Sequence, residues 1–533
     1  LETEEKPQPM DKKPNFLFFI TDQQRADWLG CAGHPVVKTP HIDAIAARGT
    51  RFTDFNVAMP VCMPNRASLL TGRYPSVHGL RYNGCYLSRR ANTFVDVLNQ
   101  SGYTTAAIGK SHLQPFTDIA PMKRTEFRSG PVADAWKADD QDYTLEEPQR
   151  YEEDRRAPFD GDYYGYQHVD MVTGHGDQAG GHYRQWFREH AAKTGRDWAW
   201  YHDPENQLPH NYSARQSYRT PIPESLYPTF YIRDQAQQFI ENQQGSDAPF
   251  FTFVSFPDPH HPFNPPGRYW DMYQPDAFEL PIRYGDHRKP PPPLEYQREL
   301  MMRGELPVVA QAAIMEDEQA IRESLALTAG MITMVDDAIG AVVETLKESG
   351  QYDSTVICFN SDHGDYLGDS DLLLKGAWPR DSINRVPFIW SDPEDRTERC
   401  SDGLASTIDI STTILDRAGI APYFGMQGTS LLPAIAGEPL NRESLLIEFN
   451  DNGTRMGFPQ PARVRTLRTK HWRLSQYKDQ DWGELFDLDS DPDQLNNLWD
   501  DPAHIETRAQ LSQQLLDHMI GQMDESPRSI RLA

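Results

Sequence analysis

The chain has 533 residues, room for one large domain and a smaller one, and its 38% hydrophobic and 11% aromatic content marks a folded chain rather than a disordered one. Asp and Glu outnumber Lys and Arg by 78 to 52, giving a formal charge of −26. That balance excludes a general binder of nucleic acid or anionic membrane, which needs a basic face, but it leaves room for a small basic pocket around an anion.

The opening "LETEEKPQPMDKKPN" is polar and lacks the apolar core of a secretory signal, so the sequence reads as cytoplasmic, with Met10 a candidate start. No continuous apolar run reaches the ~20 residues of a membrane span. Short, nearly continuous apolar runs at 15–21, 104–109, 249–256 and 354–360 predict strands buried on both faces. Helical periodicity at 41–49, 93–102 and 326–350 lies between them, so the expected fold class is α/β. The expectation is a large mixed, mostly parallel sheet sandwiched by helices over 1–435, with insertions at about 115–225 and 265–320. The four-proline run in 284–300 predicts a surface segment. Partial alternation after 436, as in "SLLIEFN", "RVRTLRTKHWRLSQY" and "GELFDL", predicts a smaller C-terminal α+β subdomain, 436–533, with an antiparallel sheet and a terminal helix at 504–523. Five cysteines (31, 62, 85, 358, 400) have no framework spacing, which fits a reducing compartment.

The residues just past each apolar run carry the chemistry. The four runs lead into Asp22-Gln23, Lys110-Ser111-His112, "PDPHHPF" with His260 and His261, and Asp362-His363. In an open α/β sheet ligands bind beyond the carboxyl ends of the strands, so four strands deliver ionisable groups to one rim. Asp22, Gln23, Asp362 and His363 suit a divalent cation: oxygen donors favour Ca²⁺ or Mg²⁺, and the imidazole tilts toward Mn²⁺. Singly, each aspartate reads more readily as a turn or helix cap, and as a set they favour the metal. Lys110 and His112, two apart, would point to one side of a strand, although each alone could be solvated or packed. In "CMPNRASLLTG", Pro64 suits a first helical turn and Gly72 a helix stop. Cys62 then sits at a helix N-terminus, which favours an anion and would lower a thiol pKa, so a cysteine hydrolase is a rival reading. A thiolate is nonetheless a poor partner for a hard cation, which an oxygen nucleophile fits better.

These segments resemble the sulfatase family, within the alkaline-phosphatase-like superfamily. "CMPNRASLLTGR" is similar to the family signature C-x-P-x-R-x-x-x-x-T-G, and the likeness runs from "NFLFFITDQQRADWLG" through "GYTTAAIGKSHL", "FPDPHHPFNPP" and "FNSDHGDYLGD" to "GELFDLDSDPDQLNNL". The resemblance implies a Cα-formylglycine made from Cys62 by a formylglycine-generating enzyme. It also implies one divalent metal ion, Ca²⁺ or Mn²⁺, held by Asp22, Gln23, modified Cys62, Asp362 and His363. Arg66 and Lys110 would steady the nucleophile and the sulfuryl oxygens, and His112 would be the base. His260 and Lys375 would bind the ester and assist the leaving oxygen, with Asn83 also binding substrate. The implied activity is hydrolysis of sulfate esters, as in arylsulfatases, by a homo-oligomer (dimer or tetramer). Asp22-Gln23 and Asp362-His363 resemble the phosphonate monoester hydrolase branch, whereas the Lys110-x-His112 pair resembles the sulfatases proper. The alternative is therefore phosphonate monoester or phosphodiester hydrolysis at the same site, and a non-enzymatic anion binder is a third reading.

Overall fold

The computed structural model describes residues 13–119, 135–153, 155–159, 163–305 and 312–532. The polar leader with Met10, residues 120–134 of the first expected insertion and 306–311 of the second lie outside the described residues.

The core is a nine-stranded sheet built from β1 (Asn15–Thr21), β2 (Thr50–Phe52), β3 (Thr104–Gly109), β4 (His168–Thr173), β5 (Gly180–Gly181), β6 (Phe250–Ser255), β7 (Thr355–Ser361), β8 (Phe388–Ser391) and β9 (Arg399–Ser401), in the order β9-β2-β8-β7-β1-β6-β3-β4-β5. The run β7-β1-β6-β3-β4 is parallel throughout, and β8 pairs antiparallel with both β7 and β2. Five strands thus end on one rim.

Alternation along β1 explains the layers. Phe16, Phe18 and Ile20 face α1 (Cys62–Thr71), α2 (Phe94–Gln100) and α5 (Thr407–Arg417), while Leu17 and Phe19 face α3 (Pro228–Asn242) and α4 (Glu318–Glu348). The continuous apolar run in "NFLFFIT" is the consequence of helices covering both faces. An 18-residue window of α4 is long and apolar enough to cross a membrane by composition, with mean hydropathy 1.5, but 83% of it is buried, as befits the central core helix.

That helix begins eight residues before the expected 326, at Glu318, because Asp317 caps it by accepting from Ala320 N at 2.9 Å. Asp317→Ala is expected to cost about 1 kcal/mol of unfolding free energy, measured by urea denaturation.

Two expectations need correction. The segment 115–225 is not only a covering insertion, since it supplies β4 and β5 to the sheet itself. Its Tyr-rich and Gly-rich composition hid a strand that has buried neighbours. The polyproline run is also not wholly a surface segment. Pro292 and Pro293 open a helix, Pro292–Met302, with Leu294 fully buried, because a first helical turn does not need its N–H groups.

The C-terminal strands β10 (Ser444–Asn450), β11 (Arg463–Thr469), β12 (Trp472–Tyr477) and β13 (Gly483–Asp487) form an antiparallel meander. Leu446, Leu467, Leu474 and Leu485 pack there with Leu511 and Leu515 of α6 (Ile505–Gly521).

Candidate active site

Cys62 opens α1 with Val61 as its cap residue, and Gly72 (φ 65°) ends the helix as the sequence predicts. Asn65 docks this helix to the metal-side loop. Its Oδ1 accepts from Ala58 N at 3.0 Å, and its Nδ2 donates to Asp362 O at 2.6 Å. Cys62 Sγ lies 3.0 Å from His363 Nε2 and 3.7 Å from Asp22 Oδ1. One donor atom from each of Asp22, Cys62, Asp362 and His363 lies within 4.8 Å of the others, and all four residues are buried.

His363 Nδ1 faces Gly364 O at 2.8 Å, an oxygen that can only accept. The proton therefore sits on Nδ1 and the Nε2 lone pair faces the cluster, which is the tautomer a ligand requires. Burial, reinforced by Lys375, holds this imidazole neutral, with its pKa lowered to about 4.

Arg66 binds the two aspartates together. Its Nε donates to Asp362 Oδ2 at 2.7 Å and its Nη1 to Lys110 O (2.7 Å) and Ser255 Oγ (2.8 Å), while Nη2 lies 3.6 Å from Asp22 Oδ2 and has no hydrogen-bond partner. Lys110 Nζ donates to Asp22 Oδ2 and to His175 Nε2, the latter at 2.6 Å. Burial alone would raise the Asp22 carboxyl, but Lys110 and Arg66 overcome it and hold that group well below the usual carboxylate range.

Lys375 Nζ donates to Gln23 Oε1 at 2.6 Å and to His260 Nε2 at 3.0 Å. His260 Nδ1 faces its neighbour's carbonyl, His261 O, at 2.6 Å, so Nδ1 carries the proton and Nε2 is an acceptor. The Gln23 backbone N donates to Asp362 Oδ1 at 3.1 Å, from a left-handed conformation (φ 69°), and its Nε2 donates to Asp365 Oδ2 at 2.6 Å. His261 Nδ1 lies 3.3 Å from the same Gln23 Nε2. Asn83 Oδ1 accepts from Met63 N at 3.2 Å, in the first turn of α1.

Lys110 and His112 lie past the end of β3, so strand alternation does not align them. They meet at Phe116, whose ring stacks on His112 (centroids 4.0 Å) and lies 5.6 Å from Lys110 Nζ. Glu146 accepts from His112 N, Leu113 N and Gln114 N at 2.8–2.9 Å, which fixes His112 at φ 56°. The buried His112 Nδ1 has no partner. Burial and the nearby Lys110 and Arg66 hold this imidazole neutral.

One expectation is reversed. The helix N-terminus does not give Cys62 a low pKa, because burial, with Asp22 adjacent, pushes the thiol up to about 11. Burial and Asp22 thus favour the neutral thiol for an unmodified side chain, which weighs against the thiolate-hydrolase reading.

His175, Asp365, Asn65, Ser255 and Glu146 complete the constellation without having been singled out in sequence. For His175 the signal existed, since "HVDMVTGHGD" is another strand followed by an ionisable residue.

The family model described as Sulfatase matches residues 14–420, and that described as N-sulphoglucosamine sulphohydrolase, C-terminal, matches 378–520. The chain belongs to the sulfatase family, in the alkaline phosphatase superfamily, and its class is sulfuric ester hydrolase. It is 26% identical over 495 residues to an arylsulfatase of Clostridium perfringens, covering 91% of this chain and 90% of that one. It is 26% identical over 542 residues to the multifunctional alkaline phosphatase superfamily protein PehA of Trinickia caryophylli, covering 96% of each. The phosphonate monoester hydrolase structure from Agrobacterium radiobacter superposes with a TM-score of 0.77 over 98% of both chains at 23% identity, showing a shared fold.

Proposed function

We propose that the protein hydrolyses sulfate esters at the cluster around Cys62, with that residue matured to formylglycine. One observation carries the reading: a helix-opening cysteine with a high-pKa thiol faces two carboxylates and an imidazole lone pair, with Arg66, Lys110 and Lys375 close by. A thiol is the wrong atom for such a setting, whereas an oxygen-bearing side chain suits it.

The donor set fits a divalent cation. Asp22, Asp362 and His363 would hold it, with Mn²⁺ or Ca²⁺ matching two carboxylates and one imidazole. A bound cation there would polarise oxygen, and formylglycine would supply two hydroxyls on one carbon, one to attack sulfur and one whose deprotonation releases sulfate.

The chain's own groups do the rest. Asp362 and Ser255 orient the Arg66 guanidinium, whose unpartnered Nη2 is a donor for an anionic oxygen. Lys110 and Lys375 add positive charge for the sulfuryl oxygens. His112, which burial and Lys110 hold neutral and whose Nδ1 is buried without a partner, would be the group that accepts a proton. His260 Nε2 already accepts from Lys375, so the donor to the leaving oxygen is Lys375, with His260 holding it in place.

Cys62 is 1% exposed, so we place its conversion by a formylglycine-generating enzyme before folding is complete. Peptide mass spectrometry on residues 52–66 tests the modification, and parallel kinetics on an aryl sulfate and an aryl phosphonate monoester test the reaction. The expected result is a formylglycine mass with faster sulfate turnover. The Asp22-Gln23 and Asp362-His363 pairs favour phosphonate monoester hydrolysis as a second reading, and faster phosphonate turnover would establish it.

Exhaustive chelation is expected to abolish turnover, with activity restored by Mn²⁺ or Ca²⁺ and followed alongside metal content.

A further inference from the structure

Both lysines at the site are held in the same way. Among the described residues, Lys110 Nζ donates to a carboxylate (Asp22) and an imidazole (His175), and Lys375 Nζ donates to an amide oxygen (Gln23) and an imidazole (His260). An ammonium has three N–H groups, so each lysine keeps one for an incoming anion. On a flexible four-carbon stem, the acceptors decide where that third N–H points.

The two acceptor imidazoles also touch each other. The His175 and His260 rings stack with centroids 3.5 Å apart at 11°, and His261 continues the stack 4.0 Å from His260. Lys110 can only donate, so His175 Nε2 is an acceptor and its proton is on Nδ1.

The loop that presents His175 is built for the purpose. Gly174 (φ 73°) and Gly176 (φ 52°) flank it in left-handed conformations, and a Cβ on Gly176 would lie 2.7 Å from Asn264 Oδ1. Tyr218 OH holds Asp177, two residues on, by its carboxylate. The donors of Asp22, His175 and His260 could in principle gather a second cation. That place is already served by the ammonium groups of Lys110 and Lys375.

We propose that His175 is a positioning residue: by accepting one N–H of Lys110 it aims the remaining N–H at the sulfuryl oxygens, and by stacking on His260 it ties the Lys110 arm to the Lys375 arm. This rests on the proposed function, in which Lys110 binds the anionic ester. Nothing in the cysteine signature requires a histidine here, because the residue arrives from the loop after β4, more than a hundred residues along the chain from Cys62.

Two variants separate the contributions. His175→Phe keeps a ring on His260 but removes the acceptor, and His175→Gln restores an acceptor without a ring. We expect His175→Phe to lower kcat/KM by about 10–100-fold, the usual effect of losing such a supporting contact, and His175→Gln to recover much of the loss. In a Lys110→Met background His175→Phe should have little further effect, since its partner is gone.

The binding of inorganic sulfate, followed by titration calorimetry, should weaken in His175→Phe and recover in His175→Gln. This arm does not depend on turnover or on the state of Cys62, so it decides the matter even if neither ester is hydrolysed, an outcome that would count against the proposed function alone. Thermal unfolding of each variant confirms that it is folded. Wild-type sulfate affinity in His175→Phe, an equal loss in the Lys110→Met background, or a His175→Gln variant as impaired as His175→Phe would each overturn the proposal.

Discussion

Cys62→Ala is expected to lose sulfatase activity by a factor on the order of 10⁴–10⁶, the range seen when an enzyme loses its attacking group but keeps its binding site. The fold should survive. Cys62 is buried at the start of α1, but the helix is held by Asn65 and by the apolar contacts of Met63, Ala67, Leu69 and Leu70 rather than by the thiol. Alanine also removes no stabilising charge, because an unmodified thiol here is held neutral by burial and a formylglycine carries no charge of its own. Cys62→Ser is the sharper variant. A serine offers one hydroxyl, so it could attack sulfur but has no second hydroxyl with which to release sulfate. The expected outcome is no steady-state turnover, with at most one equivalent of alcohol released per site, read by rapid-quench analysis. Sustained turnover by Cys62→Ser would sink the two-hydroxyl logic, and full activity in Cys62→Ala would remove Cys62 from the chemistry altogether.

The rim of the sheet is readable in sequence because parallel strands buried on both faces are apolar throughout, and the residue after each run is then conspicuous. Asp22, Lys110 and Asp362 stand out in this way, and the structure brings them to one place. What sequence could not carry was direction. The Gln23 side chain turns to Lys375 and Asp365 because its backbone sits at positive φ, and no pattern announces that conformation. His112 is placed by Glu146, 34 residues away, through bonds to backbone N–H groups that leave no trace in residue type. The Cys62 pKa also runs against local reasoning. A helix N-terminus offers only a fraction of a positive charge to lower a thiol pKa, while full burial beside Asp22 raises it, and burial is a property of the whole fold. His175 follows β4, whose short signal is lost among the polar and aromatic residues on either side of it, so the strand reads as part of a loop.

Arg66→Ala carries the other large expectation, and it is a claim about stability as well as rate. The native guanidinium lies buried between Asp22 and Asp362 and reaches Lys110 O and Ser255 Oγ. Deleting it leaves two buried carboxylates short of a counter-charge, a change that typically costs about 3–5 kcal/mol. Lys110 still pairs with Asp22, so Asp362 bears most of the loss. The expected result in chelator is a markedly lower denaturation midpoint for Arg66→Ala than for wild type. A divalent cation between the same carboxylates would take over part of the missing charge. Added Mn²⁺ or Ca²⁺ should therefore recover more stability in Arg66→Ala than it adds to wild type, a difference of ligand-induced shifts that paired melts can measure. Rate should not follow stability back: without the Nη2 donor for an anionic oxygen, turnover in excess metal should remain about 10²–10³-fold down. Arg66→Lys separates the two, since an ammonium restores charge but cannot span Asp362, Ser255 and the Lys110 carbonyl with one planar fork. Recovery of stability by Arg66→Lys without recovery of rate would assign to Arg66 both functions, counter-charge for the metal-side carboxylates and donor to the ester. Equal metal-induced shifts in Arg66→Ala and wild type would instead place the cation away from Asp22 and Asp362.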